Sequence, residues 1–240
     1  MKKILLGLTL IFSLMAQAQT PKGDIFKTSL GELQVQLVKH GSLMLTLGDK
    51  VIQVDPISQS ADYSALPKAD LILVTHEHGD HFDKAAIYKT KKPSAEMVAS
   101  AIVAKRLPGA KVLANGESAE WNGVKIDAVP AYNVANKRHD GQVFHPKGDG
   151  NGYVLTFGDF KLYIGADTEN IEEMKQLKNI DLAFLPKNLP YTMTDEMLVA
   201  AAKSFKPKTL YVYHYFELDK IESIKKELEK EGVEVRVFKK

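Results

Sequence analysis

Leu71-Ile72-Leu73-Val74-Thr75-His76-Glu77-His78-Gly79-Asp80-His81 decides how the rest of the chain is read. Its first four residues are a short, uninterrupted apolar run, the pattern of a strand buried on both faces. The run leads into four potential metal ligands within six residues: His76, His78, Asp80 and His81. In an extended backbone, residues two apart point to the same side, so His76 and His78 can grip one ion. Asp80 and His81 follow the turn at Gly79 and can face a second ion beside it. Imidazoles held this close repel when protonated and favour a metal when neutral, which weighs against a merely solvated loop.

Upstream, residues 33–54 alternate apolar and polar positions, with Gly41-Ser42 and Gly48-Asp49-Lys50 as punctuation, and so predict an antiparallel meander. Downstream, the pattern predicts helices over 83–89 and 94–106, the second preceded by Pro93 with Ser94 as its cap. Strands are expected over 124–129, 153–157 and 161–164, a helix near 172–177, and a strand over 182–185. A helix over 195–205 capped by Thr194, a strand over 209–213, an amphipathic helix over 221–231 and a strand over 233–238 complete the chain. The order is meander, β/α, meander, β/α, which suggests two sheets packed together and covered by helices. No linker separates the halves, so residues 19–240 read as one domain. The longest irregular stretch, 133–152, is rich in Gly, Asn, Lys and Asp, as functional or mobile loops are.

Two ions need ligands from elsewhere. Asp167 follows an expected strand in Gly165-Ala166-Asp167-Thr168, where a carboxylate could give one oxygen to each metal or simply cap the next helix. His214 ends the apolar run Leu210-Tyr211-Val212-Tyr213, a place equally suited to a core histidine. Asp55, in Val54-Asp55-Pro56, reads as a turn residue or as a carboxylate behind the ligand loop.

Taken together, HxHxDH after a buried strand, an Asp after a tight turn and a late strand ending in His resemble the metallo-β-lactamase-fold hydrolase superfamily. Pro130-Ala131-Tyr132, Gly165-Ala166-Asp167-Thr168, Leu185-Pro186 with Tyr191-Thr192-Met193, and Tyr213-His214-Tyr215 look like its ascorbate-6-phosphate-lactonase-like branch. The resemblance implies an α/β (α+β) fold, a four-layer αββα sandwich with two metals at one edge of the sheets. It places His76 and His78 on the first metal, Asp80, His81 and His214 on the second, Asp167 between them, and Asp55 in support. Most members carry a further His in the loop matching Pro130 to Asn133, where this chain has none. His145, in Phe144-His145-Pro146-Lys147-Gly148, is preferred as the replacement; His139, beside Lys137, Arg138 and Asp140, and Asn133 are the alternatives.

The chain has 240 residues, 45% hydrophobic and 26% charged, with a net charge of +2 and no block of basic residues that would suit nucleic acid. Lys2-Lys3, an apolar stretch over 4–15 and Ala16-Gln17-Ala18 have the three-part form of a signal peptide, so residues 1–18 are expected to be removed. A periplasmic or secreted protein without a stable membrane anchor is expected. There are no cysteines, which excludes thiolate zinc sites and leaves His, carboxylate and water as ligands.

The expected function is that of an exported hydrolase with two divalent metal ions, zinc foremost and manganese or iron next, acting on a small molecule with a lactone, amide or phosphoester bond. A hydroxide bridging the metals would be the nucleophile, with Asp80 orienting it or taking up its proton. Asn188, Tyr191 and Lys187 are candidates to line the pocket. A metal-binding or ligand-sensing protein of the same fold without turnover is the competing expectation.

Overall fold

The computed structural model describes residues 23–215 and 221–238, so the expected leader lies outside the described residues. The first sheet begins with an antiparallel meander of β1 (Asp24–Thr28), β2 (Gly31–Lys39), β3 (Ser42–Leu47) and β4 (Lys50–Val54). It continues in parallel through β5 (Ala69–Val74), β6 (Lys91–Ala99) and β7 (Lys111–Val112), with α1 (Lys84–Thr90) and α2 (Ala101–Ala104) on the crossovers. The second sheet repeats the plan. An antiparallel run of β8 (Ser118–Trp121), β9 (Val124–Ala131), β10 (Gly150–Phe157) and β11 (Phe160–Ile164) precedes parallel β12 (Leu182–Pro186), β13 (Thr209–Tyr213) and β14 (Glu234–Arg236). Helices α3 (Asp195–Phe205) and α4 (Ile221–Glu229) connect the later strands.

Strand periodicity explains the layering. Leu71 and Leu73 of β5 point into the core between the sheets, where they join Leu33, Leu45, Val54, Ile126, Leu155 and Phe184. Ile72 and Val74 point the other way and pack with Phe82, Ile87 and Val103 under the first helical layer. On the far side, Tyr163, Leu185 and Val212 pack against Leu198, Phe205 and Leu228 of α3 and α4. The order of layers is therefore helix, sheet, sheet, helix, as the sequence led us to expect. Burial of each large aliphatic side chain contributes about 1.5–3 kcal/mol to that arrangement.

The helix expected over 94–106 is not formed. Residues 91–99 make the strand β6, in register Leu73 to Val98 and Val74 to Ala99, and the helix is confined to Ala101–Ala104 behind Ser100. Buried β5 needs a hydrogen-bonding neighbour on its free side, which outweighs the helical reading of these residues. Val98 then faces the inter-sheet core and Met97 the helical layer, a period of two. Pro93 is tolerated because it falls where the register between β5 and β6 is interrupted. The segment near 172–177 is a short 3₁₀ turn, Glu172–Gln176.

Candidate metal centre

Each ligand-type side chain follows the end of a strand or sits just before one. His76 comes two residues after β5, Asp167 three after β11 and His214 directly after β13, while Asp55 directly follows β4. These are carboxyl ends of strands with parallel neighbours, the edge at which open α/β sheets bind ligands. Non-glycine residues with positive φ gather here: His40, Asp55, Ala166 and His214 have φ of 52°, 47°, 56° and 53°. Such backbone is costly unless the surroundings enforce it, and its concentration at one edge marks a functional site.

Two pockets share Asp167. In the first, ligand atoms of His76, His78, His145 and Asp167 all lie within 4.8 Å of one another. His145 Nε2 is 3.1 Å from His78 Nδ1 and 3.2 Å from Asp167 Oδ2. In the second, His81 Nε2 and His214 Nε2 are 2.9 Å apart, and Asp167 Oδ1 is 3.3 and 3.2 Å from them. Asp80 Oδ2 stands 3.5 Å from His214 Nε2 and 3.9 Å from His81 Nε2. Asp167 turns one oxygen to each pocket. It caps no helix, because the 3₁₀ turn that follows starts at Glu172 behind Ile171.

The donor set fits divalent cations. His76 Nε2 and Asp167 Oδ1 are buried without a hydrogen-bond partner, a state that costs about 1–3 kcal/mol per group unless something satisfies them. Nitrogen lone pairs and carboxylate oxygens converging on one point are what zinc, manganese or iron take up.

A second layer fixes the rings. Asp55 accepts from Thr75 N at 2.8 Å and Thr75 Oγ1 at 2.6 Å, and its Oδ2 lies 2.8 Å from His81 Nδ1. His81 therefore donates through Nδ1 and keeps Nε2 for an ion. His145 is held in the same way. Asn133 Oδ1 accepts from His145 N at 2.8 Å and from His145 Nδ1 at 2.6 Å. Asn133 cannot flip, since its amide donates to Glu169 Oε1 and the Tyr191 carbonyl. Buried Glu169 also accepts from the backbone of Val134, Ala135 and Asn136, which locks the start of the long loop. Asn133 thus stands behind His145, whereas His139 is exposed.

Titration follows from these surroundings. Burial, reinforced by the charge of His81, pushes His76 well below the imidazole range, and burial lowers His78 and His214. Burial would lower His81 too, but Asp167 and Asp55 outweigh it and raise it well above. Burial would raise Asp167 and Asp80; the neighbouring histidines outweigh it and hold both ionised.

Residues 34–214 match the β-lactamase superfamily domain. The chain belongs to that superfamily. A relative described as a UPF0173 metal-dependent hydrolase, from Thermococcus onnurineus, is 32% identical over 76% of this chain and 84% of its own. A crystal structure from Parabacteroides distasonis, of a candidate metal-dependent hydrolase, is 49% identical over 91% of this chain and 98% of its own, with a TM-score of 0.85. The metallo-β-lactamase fold protein YhfI from Bacillus subtilis covers 91% of this chain and 93% of its own at 16% identity, and its TM-score of 0.66 shows the shared fold.

In this superfamily member the mouth beside His76 and His78 is lined by Phe144, Pro146 and Ala131 together with Glu77 and Asp149. Lys187, Asn188 and Tyr191 do not line it. Lys187 pairs with Asp195 at 3.1 Å, Asn188 is buried against Thr192, and Tyr191 packs on Phe144 from outside. The sequence reading missed His40, whose Nε2 lies 3.4 Å from Asp80 Oδ2. Its only sequence signal was a His-Gly pair at a hairpin turn, which is ordinary turn chemistry.

Proposed function

We propose that this β-lactamase superfamily member is a metal-dependent hydrolase that works with two divalent ions, zinc foremost, with manganese or iron as alternatives. His76, His78 and His145 would hold the first ion, Asp80, His81 and His214 the second, and Asp167 would bridge them. The observation that carries the reading is the position of Asp167, fully enclosed, with one oxygen directed at each group of imidazoles. Bound ions would bring the pKa of a water toward neutrality and polarise the oxygen under attack.

The chain's own residues would do the rest. Asp80 is the exposed carboxylate of the set, with 51% of its side chain accessible. Held ionised by His214 and His40, it can orient an attacking water and accept its proton. His76 and His78 stay neutral, as ligands must. Phe144, Pro146 and Ala131 with the carboxylates Glu77 and Asp149 give a small mouth of mixed apolar and polar lining, suited to a small-molecule substrate. A lactone, amide or phosphoester is the bond class we infer. Ala16-Gln17-Ala18 after an apolar stretch supports export to the periplasm or medium, with a mature start at Gln19 or Thr20. Among the described residues no helix is long and apolar enough to cross a membrane.

Metal-loaded and chelated protein should be assayed against lactones, β-lactams and phosphodiesters. Turnover of one class that disappears with chelator and returns with metal is the expected result. A fully loaded protein inert toward all three would count against the proposal. Amino-terminal sequencing of protein from the native host would test export, and retention of Met1 would contradict it.

A further inference from the structure

The hairpin joining β2 to β3 turns on two residues, His40 and Gly41, and this tip reaches the second pocket from a part of the chain remote from the ligand motif. Three contacts seat it. The His40 carbonyl accepts from His214 N at 3.2 Å. The His40 ring lies over the His214 ring with centroids 3.8 Å apart. Gly41 packs so closely that an added Cβ would stand 2.6 Å from His81 Cε1. The tip is therefore fitted to both imidazoles of the second pocket, and His40 Nε2 lies 3.4 Å from Asp80 Oδ2.

Asp80 is the ligand that most needs such a restraint. Its side chain is 51% exposed, against 4% for Asp167, 0% for His81 and 1% for His214. Gly79 just before it has open space where a side chain would be, so packing there does not hold the turn. We propose that His40 is a positioning residue for the second metal, donating to Asp80 Oδ2 and keeping that oxygen turned toward His214; the inference rests on the two-ion reading given above. A carboxylate that both binds an ion and orients water works only if its oxygens are held, and partners of this kind typically govern metal affinity 10–100-fold.

Three variants of the full chain test it: His40→Ala, His40→Asn and His40→Gly. Asparagine tolerates the positive φ of this position and keeps an N–H donor, while glycine relaxes the backbone and removes the imidazole. Each would be loaded with Co²⁺, its absorption spectrum recorded, and each ion titrated out with a chelator. We expect the second-pocket ion to be held about 10–100-fold more weakly in the Ala and Gly variants, with an altered spectrum. First-pocket affinity should be unchanged, and Asn should recover part of the loss. Because Gly removes the backbone strain of the positive φ, a loss shared by Ala and Gly does not come from that strain, and recovery in Asn separates the lost N–H donor from the lost ring packing. Parent-like spectrum and affinity in the Gly variant would overturn the inference while leaving the two-ion reading intact, as would an Asn variant no better than Ala. A parent chain that takes up fewer than two ions would overturn the two-ion reading and this role of His40 with it.

Discussion

The two pockets share Asp167 but are supported by different chemistry. Behind the first, His145 leans on the amide oxygen of Asn133, a neutral partner. Behind the second, His81 leans on Asp55, a buried carboxylate, and Asp80 adds another oxygen at the mouth. The difference shows at one ring: burial pushes down His76 and His78 and also His214 of the second pocket, whereas Asp167 and Asp55 lift His81. An imidazole that donates to a carboxylate is the stronger base and the stronger ligand. The first pocket should therefore empty before the second as conditions turn against binding.

Removing two ligands should have the largest effect. His76→Ala with His78→Ala is expected to leave only about one ion per chain, in the second pocket, and to reduce turnover at least about a thousandfold, roughly 4 kcal/mol of barrier. Elemental analysis and initial rates would check both parts. Next comes Asp55→Asn, which removes the charge behind His81. Affinity in the second pocket should fall about 10–100-fold while the first changes little. If chelator titration instead shows the loss in the first pocket, the contrast drawn here is wrong. Asn133→Ala should do the opposite, weakening the first pocket by about tenfold through a freed His145. His139→Ala, at an exposed position, should match the parent.

The smallest effect concerns pH in the metal-free chain. His76, His78 and His214 have folded pKa values below their unfolded value, so the folded chain takes up fewer protons than the unfolded one. The stability they contribute is present above the unfolded pKa of about 6.5 and is lost as pH falls below it. His81 runs the other way: its contribution is present below about 6.5 and is lost as pH rises through its raised value. Replacing His76 with Gln should flatten the acid side of a urea-midpoint profile as pH falls from about 6.5 to about 5, by on the order of 1 kcal/mol. A slope unchanged by that substitution would mean that His76 is not held neutral by burial.

How much was legible in the sequence depended on how local the physics was. The run 71–81 carried both signals in consecutive residues, a buried strand and its ligands, and the meander over 33–54 carried its own alternation. The residues before Ala101 were misread because their strand state comes from pairing with β5, a partner more than twenty positions away in the chain. His145 could be preferred from Pro146 and Gly148, but the reason it is held lies in Asn133 and Glu169, which the loop brings together only when folded. His40 gave only a turn signal, because its place beside Asp80 depends on how the first meander docks against the end of β13.

The central claim is that two ions sit on either side of Asp167. A crystal of metal-loaded protein, measured with anomalous scattering at the absorption edge of the metal, would test it directly. The expected result is two peaks, one with His145 Nε2 about 2.1 Å away and one between His81 and His214, with Asp167 giving an oxygen to each. A single peak, or two peaks with Asp167 on only one of them, would contradict the account.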